Sequence, residues 1–388
     1  MVRVGSRDEN PEQTGFAHLF EHLMFSGSNN VPSYDQVAQN MGAENNAFTS
    51  NDLTNYYLTF PAPQLELALW LESDRMGFPL IDQKALDTQK QVVVEEFKER
   101  YLNQPYGDAW LELRDLAYQV HPYRWATIGK EIAHIENATL EQVQDFRHRF
   151  YAPDQMILGI NGPYDIDKVL QWVERWFGDL EPSGYQRPAY AIEPEPSGIR
   201  RREKHGSFPA PALYMAFPMP GRASADYHAC DLITDILSRG QSSRLFRRLV
   251  MDRPMFSDLN AYVTGDMDPG LLVVSGHCAQ GVSVDDAENA LWNELYDIAN
   301  QGTHCDELTK NLNQIEASLV MGRTHGLNVA MNLCYFEMLS QARDLDREIE
   351  RYREVTPDRV QAMAASLLRP ERAAVLRYIP NDEPLGNV

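Results

Sequence analysis

An α+β fold of two similar domains is what this sequence predicts, and three observations predict it. The chain has 388 residues, about twice the length of a common single domain. A stretch rich in Pro, Gly, Glu and Ser, Gly178 to Arg200, divides it near the middle and reads as a linker by composition. On both sides of it the patterns follow one order: strand, helix, strands, helices, then a helix leading to a last strand. Tyr151-Ala152-Pro153 before one closing strand is matched by Leu368-Arg369-Pro370 before the other. Residues 1–185 are therefore read as one domain, 186–200 as the linker and 201–388 as a second copy.

The elements follow from period and punctuation. Val2 to Gly5 alternates like the end of a strand with no partner before it, as though the chain began inside a domain, and no signal peptide is recognisable. Thr14 to Phe25 reads as a helix, with Thr14 as its cap and Ser26-Gly27-Ser28 as its stop. Tyr34 to Met41 is a second helix, ended by Gly42. Ala43 to Thr49 and Asn55 to Phe60 read as strands. Leu65 to Met76 is helical. Asp82 to Tyr101 is a long amphipathic helix with Leu86, Val93, Val94 and Phe97 on its apolar face. Helices at Ala109 to Tyr118 and Thr139 to Tyr151, a buried strand at Met156 to Asn161 and a helix at Ile166 to Phe177 complete the first half.

The second half opens on charged Arg200 to Lys204. Strands are expected at Ala212 to Phe217, Ala261 to Val263 and Leu271 to His277. Helices are expected at Ala225 to Leu237, Gln241 to Val250, Val284 to Asn300 and Cys305 to Met321. A helix at Pro357 to Leu368 and a strand at Ala373 to Tyr378 close the chain.

Composition narrows the function. Hydrophobic residues make up 43% and charged residues 23%, which suits packed cores rather than disorder. The net charge of −21 argues against nucleic acid and anionic membranes as partners. No apolar run approaches the roughly 20 residues of a membrane span. Cys230, Cys278, Cys305 and Cys334 are widely spaced, with no C-x-x-C pair, and read as buried free thiols.

Chemistry concentrates in TGFAHLFEHLMF, Thr14 to Phe25. His18 and His22 are four residues apart, so a helix puts both imidazoles on one face, with Glu21 beside them. Two histidines and a carboxylate at this spacing suit a catalytic zinc helix. The plain alternative is a core helix that happens to carry histidines. A catalytic zinc needs three protein ligands and one open position. Glu21 is a poor third, because a carboxylate so placed serves to take a proton from water. The long helix offers Glu95, Glu96 and Glu99. Measured from the centre of its apolar face they lie at roughly 150°, 110° and 170°. Glu96 is the one held at a semi-buried boundary, where a ligand has to sit; the competing reading of all three is a solvated acidic face. The matching helix of the second half carries His228 alone, which reads as packing.

These residues together resemble the pitrilysin/insulinase family of zinc metallopeptidases. The resemblance is carried by His18-x-x-Glu21-His22, by Gly5-Ser6-Arg7-Asp8-Glu9 before it and by Phe25-Ser26-Gly27-Ser28 after it. It continues through Ala43 to Thr49, Asn103 to Gly107, His121-Pro122-Tyr123 and Ser242 to Phe246, and so spans nearly the whole chain. It is closest to single-length bacterial members of the processing-peptidase type.

The resemblance implies two α+β domains, each an antiparallel sheet backed by helices, pairing with a second subunit into a clam-shell. It implies one zinc per chain held by His18, His22 and Glu96, with Glu21 activating water. It also implies that the strand at Asn46, Ala47 and Phe48 binds the backbone of peptide substrates by strand addition. Many members hold substrate with an Arg and a Tyr in the second half; here Val250 and Phe256 stand there, and Arg253 and Tyr262 lack the spacing. A related clamp-bearing subunit is therefore expected as partner, with a homodimer as the alternative, in which Arg244, Arg247 or Arg253 reaches substrate from the second copy. The resemblance leans to a bacterial periplasm over cytoplasm. The rival function is a non-catalytic peptide-binding or scaffold subunit.

Overall fold

The computed structural model of the protein describes residues 1–381. The first half runs α1 (Phe16–Leu23), α2 (Tyr34–Asn40), β1 (Glu44–Thr49), β2 (Thr54–Thr59), α3 (Leu65–Gly77), α4 (Gln83–Phe97), α5 (Ala109–Ala117), α6 (Ile132–Glu136), α7 (Leu140–Phe150) and α8 (Ile166–Phe177). It continues with β3 (Arg200–Gly206), β4 (Ala212–Met219), α9 (Tyr227–Ser238), β5 (Phe256–Val263), β6 (Gly270–Cys278) and α10 (Val284–Gln301). The last elements are α11 (Cys305–Gly322), α12 (Gly326–Leu339), α13 (Glu348–Arg353), α14 (Pro357–Leu367) and β7 (Ala374–Pro380). They pack as two units, one from residues 1–100, 125–191 and 321–345, the other from 101–124, 192–320 and 346 onward.

In the first unit α1 is the buried centre. Leu19, Phe20 and Leu23 are almost fully enclosed, and Phe20 packs against Tyr151 and Phe146 at ring distances of 4.1 and 5.7 Å. β1 and β2 form an antiparallel hairpin in register from Glu44↔Thr59 to Thr49↔Thr54. Behind it Arg75 is fully buried. Its guanidinium lies over the rings of Tyr34, Tyr56 and Phe25, and Glu72 neutralises it at 2.5 Å. A buried cation is tolerated when it is paired and faces aromatic rings.

The expected strand at Met156 to Asn161 does not form. Val2 bridges Thr54 on one side and Met156 on the other, and Ile157 exchanges backbone hydrogen bonds with Met1. Beyond that point no neighbouring strand lies beside residues 158–161 among the described residues, and a strand needs a ladder partner. A cavity of about 490 Å³ separates this segment from β2. Helix α12, which the sequence did not reveal, packs on the segment and lines the same cavity: a Cβ at Gly159 would meet Cys334 Sγ at 2.4 Å.

In the second unit five strands are ordered β3-β7-β4-β6-β5. All neighbours are antiparallel except β3 and β7, which run parallel. Alternation along β4 serves two faces. Leu213, Met215 and Phe217 enter the core with residues of α9, α10 and α14. Ala212 and Ala216 pack with Leu113 and Ala117 of α5.

Charged Arg200 to Lys204 is itself strand β3, at the sheet edge. An edge tolerates charges that a central strand cannot, and these are paired. Arg201 meets Glu288 at 2.7 Å and Arg202 meets Asp115 at 2.9 Å. The expected helix at Gln241 to Val250 is largely a π-helical turn, Phe246–Asp252.

Cys230, Cys278 and Cys334 are buried free thiols as expected, whereas Cys305 is exposed. His228 is buried and meets Glu348 at 3.1 Å, with Arg222 on the same carboxylate oxygen; that carboxylate holds it as a packing residue. Phe256 is 1% exposed, in the core, and Val250 packs partly buried against that core. Arg244, named as a residue that could reach substrate, is instead tied to Glu307 at 2.7 Å and to the carbonyl of Gly302 at 2.8 Å.

Candidate metal centre

The turn into α1 needs a glycine. Gly15 has φ of +89°, and a Cβ there would lie 2.7 Å from the carbonyl oxygen of Ile128. Thr14 is not the cap. Its hydroxyl accepts from Lys130 N at 2.7 Å and lies 2.8 Å from His134 Nδ1. The free N–H groups at the start of α1 go instead to the buried carboxylate of Glu9. Oε2 accepts from Gly15 N and Oε1 from Ala17 N, each at 2.9 Å, and Trp125 Nε1 donates to Oε2 at 3.0 Å.

Burial outweighs the hydrogen bonds from Ala17, Gly15 and Trp125 and leaves the Glu9 carboxyl raised to about 8. Three donors converge on it and fix its two oxygens against the start of α1.

From this anchored helix His18 and His22 project side by side. Their rings stand 4.7 Å apart and nearly perpendicular, at 81°. Glu96 meets them from α4, with Oε2 lying 3.7 Å from His18 Nε2 and 3.4 Å from His22 Nε2. One ligand atom from each of the three lies within 4.8 Å of the others. The other Glu96 oxygen is taken by Arg100 at 2.8 Å. Arg100 sits in the π-helical turn Lys98–Leu102 that continues α4; such turns recur at functional sites. Glu95 and Glu99 are exposed, and Glu95 is paired with Lys98 at 2.7 Å. Glu21 stands apart from the trio, and its Oε2 accepts the Thr49 hydroxyl at 2.5 Å.

The electrostatics suit a cation. Burial, reinforced by the neighbouring His22, lowers the His18 pKa to about 4, so its ring is neutral at pH 7 and keeps a nitrogen lone pair. Burial alone would raise Glu96. The hydrogen bond from His22 and the charge of Arg100 outweigh it and hold the carboxyl below its usual range. Burial raises Glu21 against the opposing Thr49 hydrogen bond. His18 Nδ1 is buried with no hydrogen-bond partner among the described residues, so packing alone sets that ring and leaves Nε2 for an ion. Two imidazole nitrogens and one carboxylate oxygen fit zinc, with a fourth position left for water.

The trio opens into a cavity of about 680 Å³, lined on one side by β1 from Asn45 to Thr49. Among the described residues β1 pairs only with β2. Thr54 spends its N–H and C=O on Val2, so Thr49↔Thr54 is a pair without mutual hydrogen bonds. By alternation the backbone groups of Asn45, Ala47 and Thr49 face the free edge. At that edge the Ala47 N–H is held by Asn46 Oδ1 at 2.8 Å. Phe48 is 43% exposed.

Sequence reasoning passed over Glu9, Thr49 and Arg100 as parts of the site. Arg100 alone carried a local signal, four residues after Glu96 on one helix.

Two family models match the chain. Residues 1–123 match "Insulinase (Peptidase family M16)" and residues 137–315 match "Peptidase M16 inactive domain". The chain is 29% identical over 256 residues to the zinc protease PqqE of Helicobacter pylori, which covers 64% of this chain and 57% of that protein's length. It is 25% identical over 387 residues to the uncharacterized zinc protease YmxG of Bacillus subtilis, covering 97% of this chain and 91% of the relative. A solved protease structure from Helicobacter pylori superposes with a TM-score of 0.93 at 22% identity, covering 98% of this chain and 93% of that one.

Proposed function

The chain belongs to the insulinase family of peptidases, peptidase family M16, and from that premise we propose that it is a zinc-dependent endopeptidase acting on peptides or unfolded segments. In this reading His18, His22 and Glu96 hold one zinc ion per chain. The observation that carries it is the convergence of three ligand atoms within 4.8 Å, with an acid beside them that is not one of the three. Zinc, when bound, supplies Lewis acidity and brings the pKa of a water down toward about 7. Glu21 would take a proton from the water as its oxygen bonds to the peptide carbonyl carbon, and would return that proton to the amine nitrogen as the C–N bond breaks. The free edge of β1, with Asn46, Ala47 and Phe48, takes the substrate backbone as an added strand. Relatives named as zinc proteases support the reading over a scaffold subunit.

A second copy of the fold completes the proposal. Phe256 is core and Arg244 is spent on Glu307. Neither is free to hold substrate, which supports a distinct clamp-bearing subunit; Arg247 and Arg253 are exposed and keep the homodimer as the alternative.

The test is metal content together with turnover. His18→Ala, His22→Ala and Glu96→Gln are each expected to lose most of the bound zinc, while Glu95→Gln and Glu99→Gln keep it. Glu21→Gln is expected to keep zinc and lose turnover by about 10² or more. Stoichiometric zinc in Glu96→Gln with loss in Glu95→Gln would remove Glu96 from the site. Near wild-type cleavage by Glu21→Gln would remove Glu21 from the mechanism.

A further inference from the structure

We propose that Thr49 is a positioning residue that ties the docking of a substrate strand on β1 to the orientation of Glu21; the proposal rests on the peptidase reading above. Proton accounting comes first. The Thr49 hydroxyl touches two oxygens, Glu21 Oε2 at 2.5 Å and Thr54 Oγ1 at 3.4 Å. Thr54 already donates its hydrogen to the carbonyl of Val4 at 2.9 Å, so it has none to give Thr49. The single Thr49 hydrogen goes to Glu21 Oε2. A hydroxyl donating to a carboxylate makes a strong, directional bond. It holds one Glu21 oxygen and leaves Oε1 to take the proton of the attacking water.

The second link is the backbone of the same residue. Thr54 turns its N–H and C=O to Val2, so Thr49, its partner across the hairpin, turns its own to the free edge of β1. A peptide added there bonds to the residue whose side chain fixes the base. Threonine is stiff at χ1, so where its backbone is held, its hydroxyl is held. The distance between the docked peptide bond and the base is thereby set within one residue, and misplacement of about 1 Å costs roughly 10²-fold in rate.

The experiment compares wild type, Thr49→Val and Thr49→Ser, with Glu21→Gln as reference. Thr49→Val keeps shape and strand preference but removes the donor; Thr49→Ser restores it. In the zinc-loaded protein Thr49→Val is expected to lower kcat by about 10- to 10²-fold, with KM within about twofold and zinc content unchanged. Thr49→Ser is expected to recover most of that loss. A readout independent of turnover is the Glu21 side chain in crystals of the metal-free proteins. One orientation is expected in wild type and Thr49→Ser, and a carboxylate turned away from β1 in Thr49→Val. Wild-type kcat and an unmoved Glu21 in Thr49→Val would overturn the proposal. Equal loss in Val and Ser would overturn it too, because the hydroxyl would then not be the cause. A wild type that stays inactive with the related subunit added, or an active Glu21→Gln, would instead bring down the peptidase reading itself.

Discussion

Asn46 illustrates how one side chain can hold two meanings. Asn45-Asn46 reads locally as turn chemistry, yet Asn46 lies inside β1 and its Oδ1 closes on the N–H of Ala47 at the free edge. Its carbonyl oxygen is spent there, which leaves the NH₂ group to offer to a peptide carbonyl. Asn46→Ala is expected to weaken cleavage several-fold, seen mainly in KM, with zinc content unchanged. Metal analysis and steady-state kinetics on the same preparation check it. Parallel loss of zinc and activity would point to a collapsed strand instead. Glu96 makes the complementary point. Three acids within five residues differ only in angle on α4, and the one at the buried boundary is the one that meets His18 and His22.

At the scale of elements, α1 is a short helix that carries two proposed ligands, and a helix of eight residues is marginal by itself. Its hold comes from outside, through Glu9 on its first N–H groups and through Phe146 and Tyr151 on Phe20. Glu9→Ala strands two buried N–H donors, those of Gly15 and Ala17, while Trp125 keeps the carbonyl of Ser6. The expected cost is about 2–4 kcal/mol of stability, and zinc affinity is expected to fall about tenfold because both histidines ride on that helix. Thermal melts of the metal-free protein and zinc titration against a competing chelator measure the two effects. A melt identical to wild type would show that α1 is held by packing alone. The segment after Met156 is the opposite case. It has strand-forming residues, but beyond Ile157 it has no strand beside it among the described residues, and it stays outside any sheet.

At the scale of the molecule, the proposed metal residues all lie in the first unit, and the second unit spends its matching positions on structure. His228 is locked to Glu348, Arg244 to Glu307, and Phe256 is core. Arg247 and Arg253 remain exposed. A peptide held by one metal and one edge strand is loosely oriented, so further contacts are expected from another copy of the fold. The purified chain assayed alone against a mixed peptide pool is expected to cleave slowly, and to gain about tenfold or more when a related subunit carrying the Arg and Tyr is added. Full activity as a homodimer, unmoved by that addition, would reject divided labour.

The sequence by itself determined the α+β class, the order of most elements, and the pairing of His18 with His22 beside Glu21, because these depend on spacings of a few residues along one helix or strand. It narrowed the proposed third ligand to one acid of three, because burial on a helix follows its apolar face. It did not reveal β3, whose alternating charges find acids only across the fold, or α12, whose place is set by a segment far away in the chain. Nor did it reveal that Glu9 rather than Thr14 receives the N-terminus of α1. That choice was made when Lys130 and His134 came to Thr14, and Trp125 to Glu9. The contact of Thr49 with Glu21 is of the same kind. Twenty-eight residues separate them in sequence, and only the packing of the hairpin against α1 brings a hydroxyl to the acid, because the hydrogen-bond inventory of a side chain is local but its partners are not.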